Sequence, residues 1–216
     1  MRTRNATGTS PRVIGRLCLY LRFLQDLGAR GVGWVYSREL AWSAGVTPSQ
    51  VRQDIMGIGY QGSAQHGYEV DKLAEAIHEK VGVADEARVI LIGTGNLGRA
   101  ILQFFQRNHP RMELVAAFES DIFLVGSRLH GIPILGLGEL EATVRDQDIR
   151  MAILAVPENE AQNGADRLVS AGVRSILNFT PNRLHVPEGI YVEDTDIGIS
   201  LVRAAFFGCC GKGVKV

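Results

Sequence analysis

Gly93-Thr94-Gly95-Asn96-Leu97-Gly98 sets three glycines at G-x-G-x-x-G spacing, with the apolar run Val89-Ile90-Leu91-Ile92 directly before it and a helical pattern from Leu97 to Gln106 behind it. Strand, glycine turn and helix in that order make a weak pattern a dinucleotide fingerprint. Gly93 permits a tight turn, Gly95 lets backbone approach a pyrophosphate, and Gly98 lets the helix lie close on the strand. The N–H groups and positive dipole end of that helix, with Thr94, Asn96 and Leu97 beside them, suit phosphate oxygens. Glu119 closes the next apolar run, Leu114 to Phe118, roughly twenty residues past Gly98, where a carboxylate accepts from ribose hydroxyls and repels a 2′-phosphate. The predicted ligand is therefore NADH or NAD+ rather than its phosphorylated analogue.

A second set of residues points to nucleic acid. Thr47 reads as an N-cap with Pro48 in the first turn, and Val51 and Ile55 stand at core spacing on the helix that follows. Its other face offers Ser49, Gln50, Arg52 and Gln53, types able to bond base edges or phosphates. Ser37 caps a preceding short helix that ends at Gly45, so two helices around Gly45-Val46 make a helix-turn-helix. A structural helix pair would carry the same pattern, with Arg52 in a surface ion pair. Arg16, Thr47, Ser49, Gln50, Arg52 and Gln53 are the candidate DNA contacts.

The elements that position these residues follow from periodicity. Pro11 and the stripe Val13, Ile14, Leu17, Tyr20, Leu21, Leu24, Leu27 predict a first helix stopped at Gly28. Gly57 to Val70, with glycines at 57, 59, 62 and 67, predicts a β-hairpin wing, and Leu73 to Val81 a helical linker. From Arg88 the pattern alternates: strand runs at Val89–Ile92, Leu114–Phe118, Ile132–Leu135, Met151–Val156 and Ser175–Phe179, with a helix from Glu158 to Ser170. The fold class predicted is α/β: an N-terminal winged helix-turn-helix domain over residues 1–80, then a Rossmann-type doubly wound parallel sheet over 85–216.

The bulk properties agree with two small domains in 216 residues, 46% hydrophobic and 21% charged. No apolar run approaches the ~20 residues of a membrane helix, and the polar Met1 to Ser10 is followed by no apolar signal core, which predicts a frayed start and a cytoplasmic protein. Up to residue 60, Arg2, Arg4, Arg12, Arg16, Arg22, Arg30, Arg38 and Arg52 face only Asp26, Glu39 and Asp54. Since the whole chain is neutral, a basic head sits on an acidic body, as phosphate binding by one domain requires. Cys18, Cys209 and Cys210 have neither metal-ligand nor disulfide spacing, and the adjacent pair reads as small tail residues.

Order and wording together resemble the Rex family of redox-sensing repressors, from about Pro11 to about residue 205. The matching pieces are Arg16-Leu17, Tyr20-Leu21-Arg22, Ser37 to Ala41, Gly45-Val46, Gln50 to Ile55, Gly67-Tyr68, Gly93 to Gly98, Ala155-Val156-Pro157, Ala161-Gln162, Ala171-Gly172-Val173 and Asn178-Phe179-Thr180-Pro181, with Leu184, Val186 and Pro187 behind them. The resemblance implies a homodimer of Rossmann domains with a swapped C-terminal helix, bound to a palindromic operator and released by NADH. It further implies that Arg22 pairs across subunits with Asp196 as the switch. Ala155, Val156, Pro157, Asn178, Phe179 and Thr180 would line the nucleotide site.

The chain departs from the family at Gln53 for a lysine, near Ala64 for a wing arginine, at Phe104 for a tyrosine, at Ile197 for an aromatic, and at Glu119 for an aspartate. Its end, Phe207 to Gly213, is glycine-rich and reads as less helical than the family's. Phe104 and Ile197 are the expected apolar nicotinamide pocket, where burying a cationic ring costs more than burying a neutral one. Two rivals stay open. A dehydrogenase would need a proton-donor constellation beside the glycine turn, whereas His109 and His130 lie in loops. A CoA-binding Rossmann protein fits less well with Glu119 and the basic head.

Overall fold

The computed structural model describes residues 9–82, 87–108 and 112–209. The expected frayed residues 1–8, His109, Cys210 and the tail to Gly213 lie outside these. The chain divides at residue 83 into two compact units.

The first unit holds α1 (Pro11–Ala29), β1 (Trp34–Val35), α2 (Ser37–Ala44), α3 (Pro48–Gly57), β2 (Tyr68–Glu69) and α4 (Val70–Val81). One apolar cluster holds it together. Leu17, Tyr20 and Leu24 of α1 meet Leu40 of α2, Val51 and Ile55 of α3, and Val70, Leu73 and Ile77 of α4, all buried. At roughly 1.5–3 kcal/mol per buried large apolar side chain, this helix array is one cooperative body.

Three expectations are corrected here. Residues 73–81 are no linker: they belong to a helix starting at Val70 whose apolar stripe closes the core against α1. Tyr68-Glu69 pairs not with a neighbouring hairpin strand but antiparallel with Trp34-Val35, because Val35 and Tyr68 are both drawn into the core. The hairpin signal survives only as a tight loop closed by reciprocal Ser63 and Gly67 backbone bonds of 2.7 and 2.9 Å. Tyr36, not Ser37, is the N-cap of α2, its N–H donating to the Glu39 carboxylate at 2.8 Å.

The second unit contains β3 (Ala87–Ile92), α5 (Asn96–Asn108), β4 (Met112–Glu119), β5 (Arg128–Leu129), β6 (Ile132–Gly136), α6 (Leu140–Asp146), β7 (Met151–Leu154), α7 (Ala161–Ala171), β8 (Ser175–Asn178), β9 (Tyr191–Asp194) and α8 (Ile197–Cys209). The strands form one seven-stranded sheet in the order β5-β6-β4-β3-β7-β8-β9, parallel except where β5 meets β6. Val89, Ile90, Leu91 and Ile92 are all buried. Val89 and Leu91 join Leu102, Leu114 and Ile153 in one cluster; Ile90 and Ile92 join Phe118, Leu140, Leu154 and Leu168 in another. Four consecutive buried strand residues divided between two clusters mark a sheet covered on both faces.

The chain runs outward from β3 through β4 to β6, then returns to β7 and runs the other way. The strand order therefore reverses between β3 and β7, and their carboxyl ends diverge into a crevice. α8 is helical through Phe207 and Gly208 to Cys209, the remainder of the glycine-rich end lying outside the described residues, and none of its residues is buried. No described helix is long and apolar enough to cross a membrane.

Candidate nucleotide cavity and nucleic-acid interface

The crevice between β3 and β7 holds a cavity of about 350 Å³. Gly93 and Gly95 from the turn after β3, Glu119 from the end of β4, and Ala155-Val156-Pro157 from the end of β7 line it. Each glycine of the turn has its own cause. Gly93 has φ +94°, and a Cβ there would run into the Ala155 carbonyl. A Cβ on Gly98 would run into the Gly93 carbonyl, so the start of α5 rests directly on the turn. Gly95 differs: its φ is not positive, and a Cβ would meet no protein atom within 4 Å. Neither strain nor crowding within the chain demands glycine at position 95. The bare backbone faces the cavity, which fits close approach of a diphosphate to the N-terminus of α5.

Thr94 is buried, and its N–H and hydroxyl both donate to Glu119 Oε2, at 2.9 and 2.8 Å. Oε1 accepts from the Ser120 N–H at 2.7 Å, the Ser120 hydroxyl at 3.2 Å and the Asp121 N–H at 3.3 Å. Burial alone would raise the Glu119 carboxyl. The donors from Thr94, Ser120 and Asp121 outweigh it and hold the group down at about 2. A depressed carboxylate stabilises the fold fully above its ordinary value near 4.5 and loses that contribution as pH falls through its folded value. Acid unfolding should therefore be steeper below pH 4.5 for the natural chain than for E119Q. Equal slopes of unfolding free energy against pH would show that the carboxylate is not held in this way.

Other residues expected at the site are not brought to the cavity. Asn178 is fully buried with its amide committed internally. Nδ2 donates to the Asn182 carbonyl at 2.9 Å and to Asp194 at 2.8 Å, while Oδ1 accepts from the Thr180 N–H at 3.0 Å and hydroxyl at 2.7 Å. Asn178 and Thr180 thus shape the turn after β8, and with Phe179 they stand outside the cavity lining. Phe104 on α5 and Ile197 at the start of α8 are 59% and 50% exposed, and neither lines the cavity. Asp196 caps α8, accepting from the Ile199 N–H at 2.8 Å, and Arg22 lies exposed on α1.

The periodicity reading missed one side of the cavity. Asn163, Gly164 and Arg167 of α7 line it together with Glu160 just before that helix, joined by Ser120, Leu137 and Asn159. Arg167 is the cation of this lining and donates to the Leu137 carbonyl at 2.6 Å. Polar residues at 160, 163 and 167, three to four apart at helical spacing in the segment that follows β7, are the available signal.

In the first unit, Thr47 Oγ1 caps α3 by accepting from the Gln50 N–H at 3.2 Å. Ser49, Arg52 and Gln53 are exposed on that helix, and Arg52 Nη1 donates to the Ser37 hydroxyl at 3.3 Å rather than to a carboxylate. The wing loop is fastened nearby, with the Tyr36 hydroxyl donating to the Gln65 carbonyl at 3.2 Å and His66 against Trp34, ring centres 5.4 Å apart. Arg16, expected among the DNA contacts, is paired within the unit. Two of its guanidinium nitrogens are bound to Asp54, at 2.6 and 2.7 Å, and its side chain is only 20% exposed.

Residues 9–55 match the family described as "Putative DNA-binding protein N-terminus", and residues 84–182 match the CoA binding domain. Over nearly the full length, the chain is 37% identical to the redox-sensing transcriptional repressor Rex 2 of Enterococcus faecalis, covering 89% of each. The chain belongs to the Rex family of redox-sensing transcriptional repressors. It is also 37% identical to Rex of Streptomyces coelicolor, over 92% of this chain and 77% of that one. The Rex-family repressor RSP, crystallised with β-NAD+ and operator DNA, superposes with a TM-score of 0.85 at 33% identity, covering 92% of this chain and 91% of RSP. RSP with β-NADH gives 0.81 at 33% identity, covering 92% and 93%. Rex relatives that span both units favour a regulator over a dehydrogenase or a CoA-binding protein.

Proposed function

We propose that this Rex chain is a homodimeric repressor that binds a palindromic DNA operator through α3 and is released from it by NADH. The observation that carries the reading is the bare backbone of Gly95 in a cavity at the strand-order reversal, with an ionised carboxylate, Glu119, on its rim. Gly93 to Gly98 and the α5 N-terminus would hold the diphosphate of NADH or NAD+. Glu119 would exchange a donor of its own loop for ribose hydroxyls, and its charge disfavours a 2′-phosphate. A nicotinamide pocket from Phe104 and Ile197 would need a covering that the dimer supplies.

The dimer itself is supported by α8, where Ile199, Leu201, Val202, Phe206 and Phe207 are each more than half exposed. So large an apolar helix surface calls for a partner, and a second copy of this chain is the occupant proposed. Arg22 and Asp196 would then pair between subunits and carry the nucleotide state to the DNA-reading units. A DNA operator and a nucleotide as ligands would favour a cytoplasmic setting for the repressor.

The test is operator binding at one fixed salt concentration with NADH and with NAD+. A coupling of about 2 kcal/mol predicts roughly thirtyfold weaker binding with NADH. R22A should bind both nucleotides normally yet lose most of that difference. Equal operator affinities with the two nucleotides would refute the sensing role.

A further inference from the structure

Asp54 sits on the DNA-reading helix α3, yet it faces inward and is 4% exposed. Its carboxylate gathers donors from two helices. Arg16 of α1 donates through Nε at 2.6 Å and Nη2 at 2.7 Å, Tyr20 of α1 through its hydroxyl at 3.0 Å, and Gln50 of α3 through Nε2 at 3.0 Å. Tyr20 is itself completely buried. A bidentate arginine fixes the orientation of both side chains as well as their distance. Burial would raise the carboxyl, but the donors from Arg16, Gln50 and Tyr20 hold it below the ordinary range, so the cluster is ionic.

The placement of this cluster along α3 matters. Asp54 is flanked by Arg52 and Gln53 on the exposed side, and Gln50, a candidate DNA contact, is engaged by the same carboxylate. The pitch and rotation of α3 are thus tied to α1 by directional bonds, where apolar contacts alone would tolerate small rotations. The helix α1 that supplies two of these donors is also the one that carries the exposed Arg22.

We propose that the Arg16–Asp54–Tyr20 cluster is the joint through which displacement of α1 reaches the DNA-reading helix, with Arg16 and Asp54 as positioning residues for operator recognition. The relay part rests on the functional reading above, in which Arg22 receives the nucleotide signal. The orientation part rests on the cluster alone.

The test uses the full-length protein and a duplex that the wild type selects from a random-sequence pool. Electrostatics by itself predicts that D54N, which removes a negative charge close to the DNA face, binds more tightly. The joint predicts the opposite sign: D54N and R16K bind roughly tenfold more weakly, with an unchanged dependence of affinity on salt and a wild-type NADH affinity. The ratio of operator affinities with NAD+ and NADH should also fall to less than a third of the wild-type ratio in both variants. Measurements are made where circular dichroism shows each variant folded; should D54N not fold, Y20F, which deletes one donor, should weaken binding about threefold.

Tighter or unchanged binding by the variants overturns the proposal, and so does weaker binding with an undiminished nucleotide response. A salt slope lower by about one in R16A would instead make Arg16 a direct phosphate contact, which also overturns it. If the wild type ignores NADH, the functional reading fails, and the direction of the D54N effect still decides the orientation part.

Discussion

G95V should lose NADH and NAD+ binding by at least about a hundredfold, the equivalent of some 2.7 kcal/mol, while unfolding at the same temperature as the wild type within a degree or two. Both halves of this expectation follow from the open space around Gly95. A side chain at position 95 has open space around it and ordinary backbone angles, so the fold has no objection. In the proposed binding mode the diphosphate, in contrast, comes within hydrogen-bonding distance of the same backbone, and a valine would occupy that space. Fluorescence titration with NADH and thermal unfolding of the same sample test it. The neighbouring glycine supplies the control: G98A forces a Cβ onto the Gly93 carbonyl and should destabilise the unit by roughly 1–3 kcal/mol, with nucleotide binding lost as a consequence. Retained NADH binding in G95V would mean that the dinucleotide, if bound, does not lie across this turn.

The second large effect is expected from R52A. Arg52 stands on the exposed face of α3 between the buried Val51 and the inward Asp54, its guanidinium steadied by the Ser37 hydroxyl. A hydroxyl neutralises nothing, so the full positive charge remains available to the duplex. Arginine to guanine O6 and N7 is worth about 1–3 kcal/mol, so R52A should weaken operator binding by roughly 5- to 150-fold and relax the preference at one base pair of each half-site. Competition with single-base variants of the operator measures both. A loss spread evenly over all variants, with a salt slope reduced by about one, would make Arg52 a backbone contact instead.

Much of this architecture was legible from local pattern. The glycine spacing after Val89 to Ile92, the Thr47-Pro48 start of α3 and the α1 stripe from Val13 to Leu27 each lie within a few turns of chain. Such signals act through backbone sterics and short-range hydrogen bonds that neighbours in sequence decide. Glu119 was found the same way, from its position at the end of an apolar run.

What went unread involved partners distant in sequence. In the sequence Arg16 stands among the candidate DNA contacts because an arginine on a basic head has no visible partner until a carboxylate is placed beside it, and Asp54 is 38 residues away. Residues 73–81 read as a linker because an amphipathic helix does not announce which surface its stripe covers. Asn178 carries an amide suited to a ligand, yet Asp194, on the adjacent strand β9, takes one of its donors. The α7 side of the cavity was invisible until the strand order made the ends of β3 and β7 neighbours.

Local pattern was enough for the glycine turn that joins strand to helix, the capped helix pair that precedes it, and the acid that closes the next strand, since these depend on φ, capping and periodicity. Which polar groups remain available for ligands, and which are already bound to one another, emerges once the chain is packed. That is a matter of long-range pairing: a buried donor or acceptor must find a partner, and the fold, not the local sequence, selects it.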